Sequence, residues 1–213
     1  MNEQDKKRII ERYRARFEEY GEGIRALRSG NRRRQKIRFD VLYTLGDMNN
    51  SSVLDLGCGF ADFYSYLKKR GVRRVRYTGY DIVPEFIELD RRKYPEAKFE
   101  VRDMQEDPPK RKFDYIVSSQ TFNNRLANES NEDLMKDIIS ICYDSCKVGV
   151  AIDMMTDYVD FKEDHLYYYN PEKIFKFCKT LTKRVALRHD YPLFEFTVYL
   201  YKNFAGWRQR EKL

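Results

Sequence analysis

A glycine-rich segment follows the first predicted strand and gives a ligand access to the backbone. Residues 53–56 (VLDL) form a short apolar run, and Gly-Cys-Gly follows at 57–59. Glycines at such a point remove side-chain bulk, and the helix that follows offers unpaired N–H groups. Asp55, inside the strand end, is placed to receive an ammonium group. Position 62 is Asp, whereas the dinucleotide fingerprint GxGxxG requires a third glycine there. The segment therefore indicates a nucleotide-type ligand without identifying it.

Two further acids end the next predicted strands at a regular interval. Asp81 lies 22 residues after Gly59, and Asp103 lies another 22 residues on. A carboxylate at the first position can accept hydrogen bonds from both hydroxyls of a ribose. Asp103 could accept from an adenine amino group while Met104 packs on the ring. One such acid alone is as readily a helix cap or turn residue. Three in this pattern favour a ligand at the carboxyl edge of a parallel sheet.

Alternating strands and helices must position these acids. Apolar runs predict strands at 53–56, 75–81, 98–102, 113–118 and 148–154, with helices at 60–70, 84–93, 130–146 and 170–181 between and after them. Two last strands, 184–190 and 194–202, are separated by only three residues. So short a connection cannot make a parallel crossover, so these strands form an antiparallel hairpin. The pattern predicts an α/β fold with a mainly parallel sheet.

The N-terminal segment carries the excess positive charge of the chain. Residues 1–38 hold 13 Lys or Arg and 6 Asp or Glu, and the other 175 residues hold 28 of each sign. An apolar stripe from Ile9 to Tyr20 and a second pattern over 31–45 predict two helices here. We expect a helical cap over 1–48 and a catalytic domain over 49–213 that form one folding unit. Such basic runs are usually solvated helix faces, so nucleic-acid binding is not expected.

Composition narrows the class of protein further. No run approaches the ~20 apolar residues that span a bilayer, and the first residues lack the apolar core of a secretory signal. We therefore expect a cytoplasmic protein without membrane contact. Cys142 and Cys146 lie one helical turn apart, but no second pair accompanies them. A structural zinc site needs about four ligands, so the sequence predicts buried thiols and no metal.

The successive motifs resemble those of a known enzyme family. VLDLGCGFADF, YTGYDIVPEFIE, FEVRDMQ and FDYIVSSQ are similar to the motifs of class I S-adenosylmethionine-dependent methyltransferases, over roughly residues 50–202. The resemblance implies a Rossmann-like, seven-stranded, mostly parallel sheet with a C-terminal antiparallel hairpin and helices on both faces. It implies S-adenosylmethionine as cofactor and S-adenosylhomocysteine as product. The cofactor-binding residues that it implies, with neighbouring positions, are Asp55, Gly57, Cys58, Gly59, Asp81, Ile82, Asp103, Met104, Ser119 and Gln120.

The acceptor side carries fewer signals. The Asn/Asp-Pro-Pro-aromatic motif of amino-methyltransferases acting on nucleobases or protein glutamine is replaced by Ser118-Ser-Gln-Thr-Phe122. The loops after the fourth and fifth strands should cover the reactive methyl group in this family. Residues expected to contact the acceptor are therefore Tyr20, Phe122, Asn123, Tyr158 and Tyr168. His165 is a candidate general base, and Arg125 is a candidate clamp for a carboxylate or phosphate.

The sequence thus predicts methyl transfer to a small-molecule acceptor by in-line displacement at the sulfonium methyl. One alternative is an RNA or protein methyltransferase that docks through the basic N-terminus. Another is a non-catalytic partner that retains the cofactor pocket. A nicotinamide-dependent oxidoreductase is opposed by Asp62 and by the final hairpin. A monomer or a homodimer fits the sequence equally well.

Overall fold

A computed structural model describes residues 1–28 and 30–203 of the 213-residue chain. The helices are α1 (Glu3–Tyr20), α2 (Arg32–Tyr43), α3 (Asp62–Lys69), α4 (Pro84–Lys93), α5 (Asn131–Ser145) and α6 (Pro171–Leu181). The strands are β1 (Ser52–Leu56), β2 (Arg76–Asp81), β3 (Lys98–Val101), β4 (Phe113–Ser118), β5 (Cys146–Met155), β6 (Val185–Arg188) and β7 (Glu195–Tyr201). Each predicted helix and strand is present, with ends that shift by a few residues.

All seven strands form one sheet in the order β3-β2-β1-β4-β5-β7-β6. The pairs from β3 to β5 are parallel, and β7 is antiparallel to both β5 and β6. The predicted α/β fold with a terminal hairpin is confirmed. Because β2 and β3 lie on one side of β1 and β4 and β5 lie on the other, the strand order reverses at β1, and ligands bind at the carboxyl ends of strands beside such a switch point.

The two faces of the sheet are covered by different helices. On one face, β-strand side chains such as Leu54 and Ile152 pack against α5 and α6. On the other, Val53 and Ala151 pack against α2 and α3. The alternation of strand residues between faces explains this division, because successive side chains point to opposite sides. Both covering layers leave the carboxyl edge of the sheet accessible.

The N-terminal helices pack next to that edge. Asn2 caps α1, since its side-chain oxygen accepts hydrogen bonds from the N–H groups of Gln4 and Asp5. The predicted apolar stripe is confirmed: Tyr13 and Phe17 of α1 pack with buried aromatic residues of α4 and the glycine-rich loop. The division into a cap over 1–48 and a domain over 49–213 stays a prediction. None of the described helices is long and apolar enough to cross a membrane.

Candidate functional site

A cavity with an empty volume of about 1080 Å³, including its mouth, lies at the carboxyl ends of β1, β2 and β4. Helices α1 and α2 contribute Ile9, Tyr13, Gln35 and Phe39 to its walls. The structure brings together at this cavity all ten residues predicted to bind the cofactor: Asp55, Gly57, Cys58, Gly59, Asp81, Ile82, Asp103, Met104, Ser119 and Gln120. Of the predicted acceptor residues, Phe122 also lines it.

The glycine-rich loop after β1 is fixed against neighbouring segments. The backbone of Gly57 has φ +74°, which favours glycine. A Cβ atom at this position would lie 2.2 Å from the hydroxyl oxygen of Thr121. The N–H groups of Gly57 and Cys58 both donate to the carbonyl of Tyr80 at the end of β2. The bare loop therefore forms one wall of the cavity, where a ligand can approach the main chain.

Asp81 links this loop to the start of α4. One carboxylate oxygen accepts from the N–H of Gly59 at 2.9 Å, and the other accepts from the N–H of Val83 at 3.0 Å. Burial raises the pKa of Asp81 to about 6, while these hydrogen bonds act in the opposite direction. Each oxygen has a further lone pair, so the ionised carboxylate can accept two hydroxyl groups from a ligand.

Asp103 and Met104 form the opposite end of the cavity. Asp103 accepts from the N–H of Gln105 at 3.0 Å and lies 3.6 Å from the ammonium of Lys6. Met104 is only 2% exposed. Apolar side chains of α5, Leu134 and Ile138, line the same part of the cavity. A flat heteroaromatic ring fits this mixture of apolar surface and one carboxylate.

Two further acids are buried beneath the glycine-rich loop. Asp55 accepts a hydrogen bond from the hydroxyl of Tyr77, and burial raises its pKa to about 7. Asp90 of α4 is fully buried, accepts from the thiol of Cys58 at 3.8 Å, and has a pKa raised by burial to about 8. Sequence reasoning missed Asp90. Its spacing from the buried Phe86 places it on the inner face of α4, which is the signal that was available.

The end of β4 is held by a carboxylate from β5. Asp153 accepts from the hydroxyl of Ser119 at 2.7 Å, and from the backbone and side-chain amides of Gln120 at 2.8 and 3.0 Å. Asp153 is 2% exposed and its pKa is raised, chiefly by burial. Nearby, Arg38 and Glu195 form an ion pair at 3.1 Å. Sequence reasoning missed Asp153 and Glu195, because nothing local distinguishes an acid inside an apolar strand.

Helix α1 is attached to the loop after β4 by a buried carboxylate. Asp5 is 0% exposed and accepts from the N–H groups of Ala127 and Asn128 at 2.9 and 2.8 Å. Arg8 donates to Asp5 at 2.9 Å, and to the carbonyl of Arg125 at the same distance. These contacts hold α1 across the cavity, where Ile9 and Tyr13 line its wall.

The remaining acceptor candidates lie away from the cavity walls. Tyr20 contacts the guanidinium groups of Arg16 and Arg25. Tyr158 is 59% exposed and donates to Glu172 at 2.6 Å. The hydroxyl of Tyr168 accepts from the backbone of residue 163. The structure therefore does not bring these three tyrosines together with the predicted cofactor residues.

Asn123, Arg125 and His165 belong to the loop framework. Asn123 is buried, and its side-chain oxygen accepts from the N–H of Met155 at 3.1 Å. The side chain of Arg125 donates to the carbonyl of residue 164. His165 lies 3.4 Å from Glu163, and burial lowers its pKa. All three fix the relation between the loop after β4 and the loop after β5, and none lines the cavity.

The cysteines and the other potential metal ligands do not form a metal site among the described residues. All four cysteines are buried and free, which confirms the prediction of buried thiols. Within residues 1–28 and 30–203, no group of three or more His, Cys, Asp or Glu side chains is arranged to hold a metal ion.

Comparison with known proteins decides the family. A family described as a methyltransferase domain matches residues 53–144. Rv1506c of Mycobacterium tuberculosis (strain ATCC 25618 / H37Rv), which is provisionally named a methyltransferase, is 33% identical over 156 residues, or 71% of this chain and 93% of that protein. The chain belongs to the class I S-adenosylmethionine-dependent methyltransferases.

Solved structures show the same fold for this methyltransferase. Magnesium protoporphyrin IX methyltransferase (ChlM) from Synechocystis PCC 6803, with bound S-adenosylhomocysteine, has a TM-score of 0.64 at 14% identity, covering 93% of this chain and 100% of that one. The N-methyltransferase NodS from Bradyrhizobium japonicum WM9, also in complex with S-adenosylhomocysteine, has a TM-score of 0.63 at 14% identity, covering 89% and 97%.

The residues at the cavity fit S-adenosylmethionine, the cofactor of the family. Gly57 has no side chain and lies directly against Thr121, so the loop exposes its backbone to the cavity. Asp81 retains acceptor capacity for ribose hydroxyls, and Asp103 with Met104 offers a carboxylate beside an apolar surface. The donor set therefore matches the ribose and the base of this ligand.

Proposed function

We propose that this methyltransferase transfers the methyl group of S-adenosylmethionine to a small-molecule acceptor. The observation that carries the proposal is the position of α1, whose Ile9 and Tyr13 line the cavity while Asp5 anchors the helix to the loop after β4. A site roofed in this way favours an acceptor small enough to enter beside the cofactor. The names of ChlM and NodS, a porphyrin methyltransferase and an N-methyltransferase, support the same class.

The basic N-terminus has a structural use that weighs against nucleic-acid docking. Arg8, Arg14 and Arg32 lie within 3.1 Å of Asp5, Glu85 and Asp62 respectively. A guanidinium that is already paired with a carboxylate contributes little to attraction of phosphates. Much of the excess charge therefore stabilises the packing of the N-terminal helices.

In the proposed reaction the residues of this chain bind the cofactor and orient the acceptor. The glycine-rich loop and Asp81 hold the nucleoside, and Asp103 with Met104 fixes the base. The cofactor supplies an electrophilic methyl group when bound. Ser119 and Gln120, between the cofactor loop and the remaining space, would orient the acceptor toward the methyl group that the cofactor supplies. Helix α1 excludes water from this arrangement.

Two measurements test the proposal in sequence. Calorimetry with S-adenosylmethionine, S-adenosylhomocysteine and NAD should show binding of the first two only, and Asp81→Ala should abolish it. Methyl transfer from labelled S-adenosylmethionine is then compared between pools of small carboxylates, amines and hydroxylated metabolites and samples of total RNA and protein. Label in RNA or protein alone would contradict a small-molecule acceptor, and a chain that binds no cofactor would contradict catalysis altogether.

A further inference from the structure

Ser119 and Asp153 form a hydrogen-bonded pair that leads from the cavity into the protein interior. Ser119 lines the cavity, and its hydroxyl donates to one oxygen of Asp153 at 2.7 Å. Asp153 is 2% exposed and does not itself reach the cavity wall. Within the described residues, no hydrogen bond is donated to the Ser119 hydroxyl oxygen. Its lone pairs are therefore available to a proton on a molecule in the cavity.

The turn that carries Ser119 is rigid and adjoins the cofactor loop. Gln120 has φ +60°, a conformation that is costly for a residue with a side chain, and two hydrogen bonds to Asp153 hold it there. The hydroxyl of Thr121 donates to the carbonyl of Leu56 at 2.9 Å and packs against Gly57. The Ser119 hydroxyl is thus fixed beside the glycine-rich loop, between the proposed cofactor and acceptor positions.

The charges around Asp153 leave an excess of negative charge. From α2, Arg38 faces both Asp153 and Glu195, and it pairs with Glu195 at 3.1 Å. Burial raises the pKa of Asp153, and it raises the pKa of Glu195 to about 7. Tyr191 and Asp55 are further titratable groups near Asp153, and Arg34 is a second cation near Glu195. Burial outweighs these cations at both carboxylates, so this pocket gains from the uptake of one proton.

We infer that Ser119 and Asp153 form a proton relay, and that the acceptor is an amine or hydroxyl compound whose nucleophilic atom carries a proton. The inference rests on the proposed function. As the acceptor atom bonds to the methyl carbon, the carbon–sulfur bond breaks and its electron pair stays on sulfur. The acceptor proton passes to the oxygen of Ser119, which gives its own proton to Asp153. Ser119 is a catalytic residue in this scheme, and Asp153 acts through it.

The relay can be tested by ligand binding before the acceptor is identified. In the analogue sinefungin an amine-bearing carbon replaces the methylsulfonium, so an ammonium group takes the place of the transferred methyl group, next to the acceptor position, where it can donate a hydrogen bond to the Ser119 hydroxyl. We expect the wild-type chain to prefer sinefungin over S-adenosylhomocysteine in calorimetry at neutral pH. Ser119→Ala and Asp153→Asn should each reduce that preference about tenfold, the effect of losing one charge-assisted hydrogen bond. Because Ser119 is also among the residues predicted to bind the cofactor, affinity for S-adenosylhomocysteine can fall as well, but by less than affinity for sinefungin.

Ser140→Ala is the matched control, because Ser140 lies on α5 and, among the described residues, its hydroxyl bonds only to the carbonyl of Lys136. Ser119→Ala leaves the hydrogen bonds between Asp153 and Gln120 in place. If Asp153→Asn lowers thermal stability, the relay is therefore judged from Ser119→Ala alone. An unchanged preference in Ser119→Ala would overturn the relay while leaving cofactor binding intact. Asp153→Asn could instead lose affinity for sinefungin and for S-adenosylhomocysteine equally, while Ser119→Ala keeps the wild-type preference. That result would show that Asp153 has only a structural role. A carboxylate methylated in the acceptor screen would overturn the acceptor class.

Discussion

Gly57 gives the sharpest test of the cofactor loop, because Gly71 is a matched control. The two glycines have φ values of +74° and +76°, so an alanine at either position meets the same backbone strain. At Gly71 no atom lies within 4 Å of the added Cβ. At Gly57 the added Cβ would lie 2.2 and 2.4 Å from two side-chain atoms of Thr121. Only Gly57→Ala therefore combines strain with overpacking.

The expected magnitudes follow from these two terms. Left-handed strain costs about 1–2 kcal/mol, so Gly71→Ala should lower the free energy of unfolding by that amount and leave S-adenosylhomocysteine affinity unchanged. Overpacking adds about 1–3 kcal/mol, so Gly57→Ala should lose about 2–5 kcal/mol in urea unfolding and most of its affinity in calorimetry. Thr121→Ala in the Gly57→Ala background should recover part of the stability through coupling of neighbouring sites. Equal losses of stability at the two glycines would refute the packing argument.

Three further predictions concern buried carboxylates. Because the pKa of Asp81 is raised to about 6, affinity for S-adenosylhomocysteine should fall as the pH is lowered through 6, whereas Asp81→Asn should bind poorly at every pH in calorimetry. Asp5→Ala leaves two buried N–H groups unpaired and should cost about 2–4 kcal/mol in urea unfolding, while Glu11→Ala on the exposed face of α1 should cost under about 0.5 kcal/mol. For Asp90, the folded-state pKa of about 8 lies above the ordinary value of 3.8, so proton uptake stabilises the folded chain at low pH and this contribution declines as pH rises between these values. Asp90→Asn should make the decline of stability with pH shallower in thermal unfolding, since the other buried acids still contribute to it.

Each of these predictions has a distinct contrary result. Cofactor affinity that stays constant from pH 7 to 5 would show that the charge of Asp81 is not used. Equal stabilities for Asp5→Ala and Glu11→Ala would mean that α1 is held by its apolar face alone. A parallel pH dependence in Asp90→Asn and the wild type would assign the titration to another buried acid.

The fold and the cofactor side of the site could be predicted because their signals are local. Apolar runs broken by glycine or proline fix strands and helices within a few residues. Acids such as Asp81 and Asp103 come next to strand ends, and a parallel sheet brings such ends to one edge. The short turn between β6 and β7 left only an antiparallel pairing. In each case, residues close together in the sequence determine the local structure.

The carboxylates that support the site could not be predicted in the same way. Asp5 lies among the exposed charges of α1, yet its partners Ala127 and Asn128 are 122 and 123 residues away. Asp153 occurs in a buried strand without any motif, and its role comes from the turn at Ser119 and Gln120. Such pairings depend on how distant segments pack, which periodicity does not encode.

The acceptor side was harder still, because side-chain direction in loops does not follow a repeat. Tyr158 and Tyr168 come after β5, as sequence comparison suggested, but the first points to solvent and α6 while the second bonds within its own loop. Phe122 lines the cavity, and its carbonyl accepts a hydrogen bond from the buried hydroxyl of Tyr169, which holds this part of the loop in place. Order along the chain identifies a loop near the site, and packing decides which of its residues enter it.

The charge distribution links these observations. The excess positive charge of residues 1–38 resembles a nucleic-acid signal on paper, yet in the fold Lys6, Arg32 and Arg38 approach Asp103, Asp62 and Glu195 around the cavity. A pocket that must bind a sulfonium and accept ribose hydroxyls needs acids, and clustered acids repel one another unless cations are nearby. The N-terminal helices supply those cations, and other residues of the same helices, such as Ile9, Tyr13 and Phe39, line the cavity. Their basic character is therefore accounted for by the acidity of the pocket that they cover.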